Sequence, residues 1–370
     1  MEPIEAFRNA AGNPHEYGRR LKNQGANVLG YFCSYTPEEI IHAAGVHPMR
    51  LFGAQGDTGI ADAHLQAYCC SLVRGALSDV LSGTLDYLDG AVFPHTCDSI
   101  QRLSDIWRLN TGFRFFADVV LPVKLTTESS RTYLEDVLRK FRHELEKGFG
   151  ITISDDDLRA SLRRYNRIRA TLKGLFEQYA RNASPLSASD LNTIVRGSMV
   201  LDRQEAEENL SILSAQCRGS APSRGSGKRV MLVGSVCEHP DIYELIERAG
   251  GHVVWDDLCT GSRYFEGTCS EDGDPIAAIA ERYFERVICP AKHSSVTARG
   301  ENLVRLSGQY QVQGVIFLQL KFCDPHSFDY PYLKETLDRA GFPNMILEIE
   351  AQLPPEGQLL TRFETFIHML

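Results

Sequence analysis

The sequence predicts an α/β chain built from two doubly wound parallel-sheet domains with a helical insert between them. Three observations carry this. Short apolar runs alternate with helical patterns over residues 1–127, a three-or-four-residue periodicity fills 128–217, and the alternation restarts after a Gly- and Ser-rich linker at 218–228 to run through 229–370. At 370 residues with 43% hydrophobic content, the chain exceeds the usual single domain and can bury more than one core.

Asn27 to Phe32 reads as a buried strand. Thr36-Pro37-Glu38-Glu39 then reads as a helix start, with Thr36 as N-cap, Pro37 at N1 and Glu39 as the N3 partner of a capping box; Gly45 stops that helix. His47 to Phe52 and Gly90 to Phe93 are further strands, Leu72 to Leu81 is the helix between them, and Phe115 to Leu121 is a fourth strand. In the insert, Leu158, Leu162, Tyr165, Ile168, Leu172 and Leu175 recur at helical spacing. Past the linker, Arg229 to Val236 is a strand, Asp241 to Ala249 a helix ended by Gly250-Gly251, and His252 to Asp256 a strand. Gly314 to Leu320, a helix from Pro325 to Ala340 and Met345 to Ile349 complete the alternation. Strands alternating with helices imply parallel sheets covered on both faces, so both α/β domains read as Rossmann-like.

A formal net charge of −9 without a basic aromatic stripe disfavours a grip on phosphate backbones, so nucleic acid is not an expected partner. Met1 to Asn13 lacks the basic start and apolar core of a secretory signal, and no apolar run approaches the roughly 20 residues needed to cross a bilayer. A cytoplasmic location with no membrane partner is therefore expected. In a reducing cytosol the ten cysteines are not expected to form structural disulfides. No C-x-x-C pair occurs, which removes the zinc-ribbon, thioredoxin-like and common ferredoxin spacings together. Any metal site must gather ligands from distant segments.

Three cysteines share one local pattern. Cys70 precedes Ser71 and a helix, Cys97 precedes Asp98-Ser99 and a helix through Trp107, and Cys323 precedes Asp324-Pro325 and a helix. Each thiol is thus expected at a helix N-terminus, where the dipole favours the thiolate that a metal needs. Cys97 and Cys323 also follow strands, one in each domain, which puts them where open α/β sheets bind ligands and predicts a site across the interdomain cleft. Cysteine also packs as a small apolar side chain in cores, and spacing alone leaves both roles open.

Gly30-Tyr31-Phe32-Cys33-Ser34-Tyr35-Thr36-Pro37-Glu38-Glu39 with Ala43-Ala44-Gly45, Cys70-Ser71-Leu72-Val73-Arg74, Pro94-His95-Thr96-Cys97-Asp98 and Lys321-Phe322-Cys323-Asp324-Pro325 together resemble the 2-hydroxyacyl-CoA dehydratase / benzoyl-CoA reductase superfamily. The resemblance implies a 4Fe-4S cluster held by Cys70, Cys97 and Cys323 with one iron position open to a ligand. It also implies a homologous second subunit, an acyl-CoA substrate and a separate ATP-hydrolysing activator that supplies a low-potential electron. A ketyl-type radical route then dehydrates a 2-hydroxyacyl-CoA or reduces an aromatic thioester. Ala67-Tyr68-Cys69-Cys70-Ser71 and His95-Thr96-Cys97-Asp98-Ser99-Ile100 look most like the benzoyl-CoA reductase branch. Consistent with an external ATPase, the one P-loop-like stretch, Gly225-Ser226-Gly227-Lys228-Arg229, lacks the first Gly and a Ser/Thr after Lys.

Ser34 and Tyr35, at the end of the first strand, are the candidates for contacting the acyl group, and His95 for donating to the cluster or moving a proton, although a supporting or merely packed histidine is the commoner role at such a position. Cys33, Cys237, Cys259 and Cys289 follow strands as well, and superfamily relatives with extra cysteines hold a double-cubane cluster, an alternative that would make the chain a reductase or electron relay without an acyl-CoA substrate. Cys69 should point away from Cys70, and Cys217 borders the linker. Lys292, Arg299 and Arg305 suggest a basic face, either solvated or touching coenzyme A phosphates.

Overall fold

The computed structural model describes residues 2–53, 58–66, 68–219, 227–239, 241–286, 289–292 and 295–370. The first half comprises α1 (Pro3–Gly12), α2 (Pro14–Asn23), β1 (Asn27–Tyr31), α3 (Glu38–Ala43), β2 (Val46–Arg50), α4 (Gly59–Asp62), α5 (Ser71–Leu81), β3 (Gly90–Pro94), α6 (Asp98–Asn110) and β4 (Phe115–Val119). Its four strands pair in parallel in the order β2-β1-β3-β4. Neighbouring residues face opposite ways: Val28 and Phe93 enter one apolar core, Leu29 and Val92 the other, as a sheet covered on both faces requires. Gly90 lets β3 approach β4 closely, since a Cβ there would stand 2.0 Å from the Phe115 carbonyl oxygen.

The insert folds as α7 (Glu128–Phe149), α8 (Asp155–Ala180), α9 (Ala188–Ser198) and α10 (Arg203–Gly219). Capping boxes start two of them, Ser154 with Asp157 on α8 and Ser187 with Asp190 on α9. The stripe from Leu158 to Leu175 is buried as its period predicts. α10 runs on through Arg218, where linker was expected, and 220–226 lie outside the described residues, with most of the linker and Gly225-Ser226 of the P-loop-like stretch. Lys228 opens a strand.

The second half contains β5 (Lys228–Gly234), α11 (Asp241–Arg248), β6 (Gly251–Asp257), α12 (Ser262–Phe265), α13 (Pro275–Glu285), α14 (Ala298–Gln309), β7 (Gly314–Leu320), α15 (Asp324–Arg339), β8 (Asn344–Ile349) and α16 (Glu356–Met369). Its parallel order, β6-β5-β7-β8, repeats that of the first sheet. Among the described residues no helix is long and apolar enough to cross a membrane.

Three features depart from the local reading. Pro3 to Asn23 fold as two helices, and α1 lies on α9, where Gly197 leaves no room for a Cβ against the Phe7 backbone. α13 crosses to the first half, burying Ile276, Ile279 and Tyr283 beneath that sheet with Leu134, Leu138 and Phe141 of α7. Finally, α3 begins at Glu38 after Pro37, without a side-chain cap. The capping box at Thr36 to Glu39 is absent because both carboxylates have stronger partners. Glu38 pairs with Arg203 at 2.8 Å and accepts from the Tyr165 hydroxyl at 3.3 Å. Glu39 pairs with Arg169 of α8 and stands 3.8 Å from Arg282 of α13. Burial alone would raise the Glu39 carboxyl, but the two guanidiniums outweigh it and hold it below the usual carboxylate range.

Candidate metal centre

Cys70, Cys97 and Cys323 are the N-cap residues of α5, α6 and α15. Each has non-helical backbone angles before a helix, and β3 and β7 end just before Cys97 and Cys323. The three thiols line one pocket of about 340 Å3. Its walls come from both halves, with Asp98 and Ser99 on one side and Pro290, Ala291, Val296, Phe322 and Phe328 on the other. The turn into α15 is under strain: Phe322 adopts φ 62°, a left-handed conformation that bulky residues rarely hold. Gln319 steadies it by donating to the Leu320 carbonyl at 3.2 Å and to the Ser327 hydroxyl at 3.1 Å.

Burial pushes the Cys70 thiol up to about 11, Cys97 to about 12 and Cys323 well above its ordinary value. Opposing this, the N–H groups of Val73, Ile100 and His326, each three residues into its helix, act on the respective sulfur. No side-chain cap bond closes at any of the three, and the Val73 N–H also donates to the Cys70 carbonyl at 3.1 Å. Free thiols here are protonated, and a metal would displace those protons. Among the described residues no three His, Cys, Asp or Glu side chains converge tightly enough for a single metal ion.

Three more cysteines gather beside this set. Cys33 follows β1, Cys259 follows β6, and Cys289 opens a turn with Pro290; Cys33 and Cys289 are close enough to Cys97, and Cys259 to Cys323, to raise those thiols through charge. Cys237, expected with them, instead buries its thiol against the His239 carbonyl at 3.7 Å. Cys69, expected to point away, is acted on by the Ser99 hydroxyl beside the pocket. Cys217 is buried on α10.

None of Ser34, Tyr35 and His95 lines the thiol pocket. Ser34 is clasped by Arg286, which donates to its carbonyl at 2.8 Å and its hydroxyl at 3.3 Å. Tyr35 lies buried edge-on to Tyr283, with the Arg286 guanidinium 4.6 Å above its ring. Tyr35 sits near Cys33 and Cys289. His95 turns its ring to Asp118 of β4 at 3.1 Å. The proposed basic face does not exist: Lys292 and Arg299 are buried, the latter paired with Asp257 and Asp329, and Arg305 alone is exposed on α14.

Sequence reading missed the buried cations around the cysteines. Arg263 lies against Asp257 and near Cys259 and Cys289, with its Nη1 lacking a hydrogen-bond partner. Lys292 closes the turn that Cys289 opens, its N–H donating to the Cys289 carbonyl at 2.8 Å. The signal that was available is the adjacency Cys289-Pro290-Ala291-Lys292, a turn pattern that ties a cation to a cysteine.

A family model described as 2-hydroxyglutaryl-CoA dehydratase, D-component, matches residues 33–370. The chain is 25% identical to the (R)-phenyllactyl-CoA dehydratase beta subunit of Clostridium sporogenes over 98% of its own length and 97% of the relative's. It is 30% identical to one of the benzoyl-CoA reductase subunits of Thauera aromatica, covering 85% and 83% of the two chains. With the beta subunit of the (R)-2-hydroxyglutaryl-CoA dehydratase of Acidaminococcus fermentans the identity is 24%, over 99% and 98%.

Proposed function

The chain belongs to the 2-hydroxyglutaryl-CoA dehydratase D-component family, and from that membership we propose that it is the iron-sulfur subunit of an enzyme that dehydrates or reduces acyl-CoA thioesters. It is an enzyme subunit of the dehydratase and reductase kind. One observation carries the iron-sulfur reading: three cysteines from both halves, each capping a helix, face one pocket.

The donor set fits a 4Fe-4S cluster held by Cys70, Cys97 and Cys323. When bound, such a cluster supplies a one-electron centre with a free coordination position. The chain's own residues do the rest. The N–H groups at Val73, Ile100 and His326 stabilise charge on the sulfurs, while Pro290, Val296, Phe322 and Phe328 wall the pocket with apolar surface that limits water. Phe328 and Val296 are 77% and 60% exposed, an apolar rim suited to a partner subunit. A homologous partner and an ATP-hydrolysing activator belong to the same proposal, as does the acyl-CoA substrate. Isolated chain supplied with ATP should therefore not convert any acyl-CoA, and steady conversion without an activator would contradict that part.

The test is iron and acid-labile sulfide on anaerobically purified protein, wild type against Cys70→Ser, Cys97→Ser and Cys323→Ser. About four irons per chain are expected in the wild type and a loss of most of them in each variant. Full iron in Cys323→Ser would make the ligand set wrong. A second reading rests on Cys33, Cys259 and Cys289 standing beside the first three. These six thiols suit a double-cubane cluster in a reductase or relay protein without an acyl-CoA substrate. About eight irons, with loss in Cys289→Ser, would favour it.

A further inference from the structure

Lys292 is 1% exposed. Its ammonium donates to two backbone carbonyls of the first half, Leu121 at 3.1 Å and His95 at 3.4 Å, and among the described residues no carboxylate pairs with it. The buried Arg169, Arg203, Arg263, Arg282 and Arg299 each have a carboxylate partner instead, whereas buried Arg286 bonds, like Lys292, to neutral oxygens, those of Ser34 and Arg263. A buried ammonium without a counter-ion is costly, and carbonyl dipoles offset only part of that cost. The groups within reach that become anionic on binding a metal are sulfurs: the His95 carbonyl that the ammonium meets lies two residues before Cys97, and the Lys292 backbone N–H bonds the Cys289 carbonyl at 2.8 Å. The turn from Cys289 to Lys292 fixes the cation beside them. Arg263, near Cys259 and Cys289, adds a buried guanidinium nitrogen with no hydrogen-bond partner, so a second buried cation stands near Cys289.

We infer that Lys292 is the counter-charge of the anionic group that Cys97 helps to hold, and that it sets how readily that group accepts an electron. The inference rests on the iron-sulfur reading above. Uptake of one electron, supplied by a reductant such as dithionite, adds one negative charge and forms no bond, so a fixed positive charge nearby favours the reduced state. Lys292 is a positioning residue in this role: its ammonium bonds the Leu121 and His95 carbonyls and acts on the group through its charge.

The experiment compares anaerobic holoprotein as wild type, Lys292→Met, Lys292→Arg and Lys292→Gln, measuring iron content and the midpoint of a dithionite titration followed by electron paramagnetic resonance. Lys292→Met should keep its iron and lose at least tenfold in the reduction equilibrium, a midpoint about 59 mV more negative for one electron. Lys292→Arg, which keeps the charge, should stay within about threefold. Lys292→Gln keeps donors for the Leu121 and His95 carbonyls without the charge and should follow Lys292→Met. A wild-type midpoint in an iron-replete Met or Gln variant would overturn the inference. So would failure of both to fold, which would make Lys292 a strut between the two halves. Absence of iron from the wild type would instead remove the iron-sulfur reading, and this inference with it.

Discussion

Glu39→Gln separates the tertiary account of residue 39 from the local one. As the N3 residue of an exposed capping box, Glu39 would tolerate Gln almost without cost, since Gln serves there too. In the fold, Glu39 is 1% exposed and lies between Arg169 and Arg282, themselves buried. At 3.8 Å and an effective dielectric of about 20, the attraction of Arg282 alone is about 4 kcal/mol. Gln keeps a hydrogen-bond acceptor for Arg169 but leaves two buried guanidiniums without their counter-ion. Removing one partner of a buried ion pair typically costs about 3–5 kcal/mol, and that is the loss expected. With a urea slope of about 3 kcal/mol/M, the midpoint falls by about 1 M or more. Trp107 on α6 and Trp255 on β6 report one half each by fluorescence. Because Glu39 joins α3, α8 and α13, both signals should move. The matched control is Glu207→Gln, in the more exposed network with Arg164 and Arg167, where less than about 1 kcal/mol is expected. A Glu39→Gln midpoint as close to wild type as the control would refute the buried-triad account.

Acid should weaken the fold well above the carboxylate range. His47 is buried with its ring bonded to the Val200 carbonyl, and burial followed by the nearby Arg203 charge pushes it down to about 3, while His42 falls to about 4 for the same reasons. The unfolded chain takes up these protons below about pH 6.5 and the folded chain does not, so stability is full above about 6.5 and about 2 kcal/mol is lost to His47 alone by about pH 5. A His47→Gln variant whose urea midpoint falls as steeply as wild type between about pH 7 and 5 would contradict this. At Phe322, φ 62° predicts an order by side chain: Gly within about 1 kcal/mol of wild type, and β-branched Val about 1–2 kcal/mol worse, read from thermal midpoints; Val equal to Gly would remove the strain claim. Gly90→Ala drives a Cβ to 2.0 Å from the Phe115 carbonyl oxygen and should cost about 3 kcal/mol or more, the upper end of overpacking; an unchanged urea midpoint would mean that β4 can move aside.

What the sequence determines by itself is set by neighbours along the chain. The apolar runs at Asn27 to Tyr31 and Gly314 to Leu320 make buried parallel strands, the period from Leu158 to Leu175 makes one face of α8, and the residues after Cys70, Cys97 and Cys323 start helices, so all three cysteines are legible as N-caps. Each of these depends on backbone angles and side-chain period within a few residues. The tertiary structure alone decided the rest. Glu39 meets Arg169 across 130 residues of chain, Arg286 reaches Ser34 across 252, and Lys292 reaches His95 across 197. The same distance in sequence hid the turning of Cys237 away from Cys33, Cys259 and Cys289, and the burial of Lys292 in what reads locally as a basic face. A charged side chain looks alike in sequence whether it faces water or a buried partner. The choice between the two is made only when the crossovers of two sheets bring distant segments together and burial makes an unpaired charge costly.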